Sequence, residues 1–183
     1  MNKKMRLGYA CVNMTLTNRP KKAGGRVTTS RTARKVTWKK GSEDPKDWDL
    51  HLLGERTLLN ANDLLHYLEW NNEHNIKVFR LGSELFPWHD QYELHQLPQF
   101  NEIAKKLMEC GNYAREHNIR VTTHPGPFNV LGSPKLDVVE RTIVSLERHS
   151  NTTRFLQLSD KRCQPAIHLF DVPTKSPPYD PPT

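Results

Sequence analysis

Nine histidines lie in this 183-residue chain, and two of them fall at the ends of short β-branched or apolar runs. His124 closes IRVTTH, residues 119–124, and His168 lies in PAIHL, residues 165–169. An imidazole at the end of a parallel strand can turn a ring nitrogen into a cavity shared with its neighbours, where it can ligate a metal. A hard divalent metal such as manganese or magnesium would also want carboxylates. Glu84, Asp90 and Glu93, in GSELFPWHDQYEL, could serve one or simply face water. His51, His66, His74, His117 and His149 sit in helical or polar contexts and read as surface or satisfied residues. Other chemistries find little support. The chain has no P-loop, no G-x-G-x-x-G and no G-x-S-x-G, and neither Ser83 nor Ser133 has a base beside it in sequence. Cys11, Cys110 and Cys163 are widely spaced and lack a CxxC pair, which fits a reducing compartment better than a disulfide scaffold or a zinc ribbon.

Strands are expected at residues 6–12 (RLGYACV), 77–83 (KVFRLGS), 119–124 and 165–169. Helical patterns fill the gaps. In residues 59–74, Leu64, Leu65 and Leu68 share a face; in residues 98–117, Ile103, Leu107, Cys110 and Ala114 recur at helical spacing. In residues 133–149, Ser133 is placed to cap, Pro134 suits a first turn, and Val139, Ile143 and Leu146 mark a stripe to be buried. Strand and helix alternate, which implies an α/β fold with parallel strands and right-handed crossovers. Reactive groups in such sheets sit at the carboxyl ends of the strands, where His124 and His168 fall.

The net charge of +7 and pI of about 9.4 suit a polyanionic partner such as nucleic acid, or a basic surface without one. Residues 19–40, RPKKAGGRVTTSRTARKVTWKK, carry many basic residues and no acid, and read as an exposed loop or arm that could contact phosphates. Residues 169–183 form a tail in which five prolines forbid helix or strand, and disorder is expected there. No run of about 18 apolar residues offers a membrane span, and the basic amino terminus lacks a clear signal peptide. A cytoplasmic chain, or a nuclear one in a eukaryote, is the expectation.

Four motifs together carry a resemblance. They are RLGYACVNMTLTNR (residues 6–19), FRLGSELFPW (79–88), HPGPF followed by GSP (124–134), and AIHLF (166–170). In order and spacing they resemble the UV-damage endonuclease family, TIM-barrel DNA repair enzymes related in architecture to endonuclease IV. The resemblance covers roughly residues 5–168. It implies a partial (β/α)8 barrel, about the first four βα units, over residues 1–168, with the basic segment inserted. It implies metal-dependent incision of the phosphodiester 5′ to a UV photoproduct in damaged double-stranded DNA. By the same match His124 and His168 would be metal ligands, with manganese as the metal. Tyr9, Asn13 and Phe128 would lie against the DNA or its lesion. No further catalytic residue is assigned. The family's glutamine before the probing aromatic is Pro127 here, and the glycines after the last histidine are Phe170 and Asp171.

An eight-stranded barrel typically needs about 250 residues. A chain holding half of one is expected to expose strand edges, and so to self-associate or to need a complementary fragment, with impaired incision on its own. Two other readings stay open: a non-catalytic nucleic-acid-binding remnant, and another metal-dependent TIM-barrel enzyme of the sugar isomerase type.

Overall fold

The computed structural model describes residues 5–32, 48–89, 91–126 and 129–156. Three parallel strands, β1 (Gly8–Ala10), β2 (Val78–Gly82) and β3 (Arg120–His124), lie side by side in chain order. The register pairs Tyr9 with Phe79 and Phe79 with Val121, and Gly82 with His124. The four helices are α1 (Met14–Thr17), α2 (Leu50–Glu73), α3 (Phe100–Glu116) and α4 (Leu136–Phe155). The three expected amino-proximal strands are therefore present, each within its expected bounds. The expected strand at 165–169 and the proline-rich tail lie outside the described residues. Among the described residues no helix is long and apolar enough to cross a membrane.

Strand alternation divides the sheet. Phe79, Leu81 and Val121 point to one face and are buried with Leu53, Ala61, Leu64, Tyr67 and Leu68 of α2. Ile103, Leu107, Cys110 and Ala114 of α3 complete this core, as their spacing predicts. Burying such side chains stabilises by about 1.5–3 kcal/mol each. Arg80, Thr122 and His124 alternate to the opposite face.

Helix α2 and helix α3 end in the same way. The sequence Glu-His-Asn-Ile occurs at residues 73–76 and again at 116–119. Asn75 and Asn118 both take a left-handed backbone, with φ of 55°. The next amide reaches back five residues, Ile76 N to Asn71 O at 2.7 Å and Ile119 N to Ala114 O at 2.8 Å. This is the Schellman arrangement, with asparagine where glycine is more usual. It turns each chain directly into β2 or β3 and so fixes where each strand starts.

Three expectations need correction. Helix α2 begins at Leu50, where Asp49 accepts a hydrogen bond from Leu52 N at 2.9 Å, well before the periodic stretch from residue 59. Helix α4 starts at Leu136 and is not capped by Ser133, whose Oγ instead accepts from Lys135 N at 3.2 Å. The buried face of α4 is Thr142, His149, Thr152 and Thr153, while Ile143 is 46% exposed. The packed face is thus rotated from the predicted stripe: Val139 and Leu146 are half-buried at its margin, and only Ile143 turns to solvent. The threonines satisfy themselves by bonding back one turn, Thr142 to Val138 O and Thr152 to Arg148 O, so this polar face tolerates burial.

Candidate functional site

The carboxyl edge of β2 and β3 gathers three histidines. His124 ends β3, half-buried, beside Gly82 at the end of β2. Its Nδ1 lies 3.0 Å from the Pro125 carbonyl oxygen. A carbonyl can only accept, so this contact places the ring proton on Nδ1 and leaves Nε2 as the lone-pair side. That is the orientation a metal-ligating histidine takes, its other nitrogen fixed by a carbonyl.

A small cavity lies alongside, with room for about one water (≈ 10 Å³), lined by Gly82, Thr123, His89, Arg148, His149 and Thr152. The His89 and His149 rings meet edge to face, their centroids 5.7 Å apart. His149 is only 4% exposed. Burial, with His89 and then His124 adding repulsion, pushes its pKa down from 6.5 to about 4, so the ring is neutral near pH 7. The expectation of a surface or satisfied role fails for this histidine, because its Nε2 is buried without a hydrogen-bond partner. Its helical spacing from Thr142 and Thr152 was the available signal, hidden because a threonine face reads as solvent-exposed.

The candidate carboxylates do not converge. Glu84 is exposed. Glu93 is taken by Arg148, whose guanidinium bonds both its carboxylate at 3.2 Å and the Tyr92 carbonyl at 2.7 Å. Asp90 lies outside the described residues. Among the described residues no group of three or more histidine, cysteine or acidic side chains is arranged to hold a metal. His124 is thus built like a ligand but has no described cage. His168, Phe128 and Pro127 lie outside the described residues.

Tyr9 and Asn13 come together at the turn after β1. Tyr9 alternates to the helix-facing side of the sheet, packs on Phe79 with centroids 5.1 Å apart, and donates to Asn71 Oδ1 at 2.8 Å. Asn13 Nδ2 donates to the Tyr9 hydroxyl at 3.1 Å, and Asn13 Oδ1 caps α1 by accepting from Leu16 N at 3.1 Å. The Asn13 amide donates to the Tyr67 hydroxyl at 3.2 Å. Burial pushes the Tyr9 phenol up to about 12, so it stays protonated and able to donate. The pair therefore anchors the turn after β1 to α2.

Sequence reasoning missed Asn60. It is fully buried in α2, with Oδ1 accepting from Arg31 N at 2.8 Å. Its Nδ2 lies 3.1 Å from the Arg31 and Glu84 carbonyls and 3.2 Å from that of Leu85. One side chain thus ties the basic segment after β1 to the 3-10 turn Ser83–Leu85 after β2. Asp63 supports it by accepting from Thr28 N at 2.8 Å and pairing with Arg31. The expected exposed arm is therefore clamped over residues 27–31, with Val27, Thr28 and Thr29 buried, whereas Lys21, Lys22 and Arg26 are exposed. Residues 33–40 lie outside the described residues.

Residues 5–171 match the family model described as UV-endonuclease UvdE. A UV-damage endonuclease of Neurospora crassa is 34% identical over 92% of this chain and 28% of its own length. A UV DNA damage endonuclease of Clostridium perfringens is 34% identical over 92% of this chain and 36% of its own. The crystal structure of SacUVDE shares the fold, with a TM-score of 0.66 and 24% identity over 84% of this chain and 46% of that one. The chain thus spans about a third of the length of these curated relatives.

Proposed function

The chain belongs to the UV-endonuclease UvdE family, and from that premise we propose that it forms part of a metal-dependent nuclease that cuts damaged duplex DNA 5′ to a UV photoproduct. The observation that carries this reading is His124 at the carboxyl end of β3, within a family match covering residues 5–171. His124 and His168 would hold a divalent metal, manganese by preference. When bound, such a metal supplies Lewis-acid activation of water and of the scissile phosphate. The chain's own part is to hold the His124 ring through Nδ1 on the Pro125 carbonyl, which leaves Nε2 as the nitrogen that would ligate. The carboxylates a hard metal wants would come from further strands of the barrel. Phe128 would face the lesion. Pro127 beside it offers no side-chain donor or acceptor, so recognition would rest on the aromatic ring. Tyr9 and Asn13 would act at the same mouth by holding the turn after β1.

The test is a duplex carrying one pyrimidine dimer, incubated with the chain and manganese, alone and with the carboxyl-terminal part of a relative. Nicking 5′ to the dimer, stopped by a chelator and by His124→Ala, is the expected result. Absence of nicking in both mixtures would overturn the reading. A second reading, metal-free DNA binding without incision, is favoured by the exposed Lys21, Lys22 and Arg26. It predicts strongly salt-dependent binding that a chelator leaves unchanged.

A further inference from the structure

The small cavity between the end of β3 and α4 is bounded by polar groups that the chain does not serve. Thr123 is 1% exposed and His149 4%. Thr123 Oγ1, His149 Nε2 and Arg148 Nε are each buried with no hydrogen-bond partner in the chain. All three residues line the same cavity of about 10 Å³. Buried polar atoms left unpaired are costly and rare, and an ordered water is the usual remedy in native proteins. Three of them around one space call for a common partner.

Local structure shows why the chain supplies none. Strand alternation turns Thr123, like Val121, to the helix-covered side of the sheet, opposite the face that carries His124. Arg148 is clamped by its two outer nitrogens, one donating to the Tyr92 carbonyl at 2.7 Å and the other to the Glu93 carboxylate at 3.2 Å. The planar fork therefore cannot turn to give Nε–H another acceptor. Thr152 also lines the cavity, but its hydroxyl is engaged on the Arg148 carbonyl at 3.1 Å.

Size and chemistry select the occupant. A space of about 10–15 Å³ is what a single water needs. Arg148 Nε–H can only donate, so the occupant must accept, and the guanidinium charge opposes a cation. Thr123 Oγ1 donates or accepts, and His149 Nε2 does one or the other according to its tautomer. Water, with two hydrogens and two lone pairs, satisfies every combination. Chloride could accept from all three groups but is wider than water.

We propose that this cavity is a binding site for one water molecule, hydrogen-bonded to Thr123 Oγ1, His149 Nε2 and Arg148 Nε. The water joins α4 to β3 at the residue before His124. The site needs no metal and does not rest on the proposed incision of DNA.

Oxygen-17 magnetic relaxation dispersion counts long-lived internal waters in solution. The full chain, in the presence of a chelator, would be compared with two variants. Thr123→Ser keeps the hydroxyl, whereas Thr123→Val combined with His149→Phe removes two of the three partners at nearly constant volume. The expected result is one long-lived water fewer in the double variant, none lost in Thr123→Ser, and unchanged far-ultraviolet circular dichroism. Equal counts in the parent and a folded double variant would overturn the site, as would a parent with no long-lived water. Crystals of the parent grown in sodium bromide give a reading that does not depend on how any variant folds. Water density within hydrogen-bonding distance of Thr123 Oγ1, His149 Nε2 and Arg148 Nε, without an anomalous bromide signal, is the expected result. A bromide peak there would overturn the assignment in favour of a halide, and no density there would overturn the site itself.

Discussion

Asn60 and His149 are two buried polar side chains with opposite fates. Asn60 is saturated by backbone groups from two different loops. Asn60→Ala would strip partners from groups that lie 24 to 29 positions away in sequence, at about 1–3 kcal/mol for each group left buried and unpaired. A fall in the midpoint of urea unfolding by several kcal/mol equivalents is expected. Asn60→Asp should be worse still, because a carboxylate would face the carbonyls that Nδ2 now serves. A milder Asp variant would show that these bonds contribute little. His149 lacks a partner for Nε2, and its pKa lies at about 4 against an ordinary 6.5. The unfolded chain therefore binds more protons than the folded one between those values, and stability must rise with pH there. The contribution is complete above pH 6.5 and is lost as pH falls towards 4, by up to about 3 kcal/mol. Urea midpoints of the chelator-treated chain at a series of pH values should show this slope, and His149→Gln should flatten it. An unchanged slope in the variant would assign the titration elsewhere. Neither role was legible in the sequence: periodicity puts Asn60 on the face of Leu64 and Leu68 and His149 on that of Thr142 and Thr152, but it does not say which polar groups those faces meet. The place of His124 at the end of β3 was legible because its β-branched run is broken at once by Pro-Gly.

Helix α3 was readable because Ile103, Leu107, Cys110 and Ala114 face a single apolar neighbour, α2. The amino-terminal part of α2 was not, because Gly54 and the polar residues around it suggest a loop until their packing is known. A Cβ at Gly54 would meet the Gln99 carboxamide, which can swing aside, where the chain enters α3. Gly111, between α3 and α4, is required more strictly: a Cβ there would collide with the backbone carbonyl of Leu156. In an exposed helix, glycine to alanine stabilises by about 0.5–1 kcal/mol. Here the sign should reverse, and Gly111→Ala should destabilise by about 1–3 kcal/mol, as overpacking against backbone does. Thermal melting decides it, since a raised midpoint would mean that α4 does not hold this approach to α3. The rotated face of α4 has the same origin. Its threonines and His149 meet β3 and the loop after β2, and periodicity could not foresee that polar residues would win the buried side.

The described molecule is a three-stranded parallel sheet covered on one face by α2 and α3, and its outer strands, β1 and β3, have one described neighbour each. Parallel strands normally lie inside closed or doubly covered sheets. The side of α4 turned from the sheet adds exposed Leu136, Ile143 and Val144, at 71%, 46% and 44%. Edge strands with unpaired backbone groups and a neighbouring apolar stripe are a template for another chain. The expected outcome is concentration-dependent association, read as a weight-average mass that rises above 21.3 kDa in sedimentation equilibrium. If α4 contributes, Ile143→Lys combined with Val144→Glu should lower that mass without loss of helical circular dichroism, since neither side chain is part of the buried core. If the edges dominate instead, the variant will associate as the parent does, and a carboxyl-terminal portion of a relative should compete for them. A single mass of 21.3 kDa at every concentration, with one sharp melting transition, would mean that the described sheet closes its own edges within this chain.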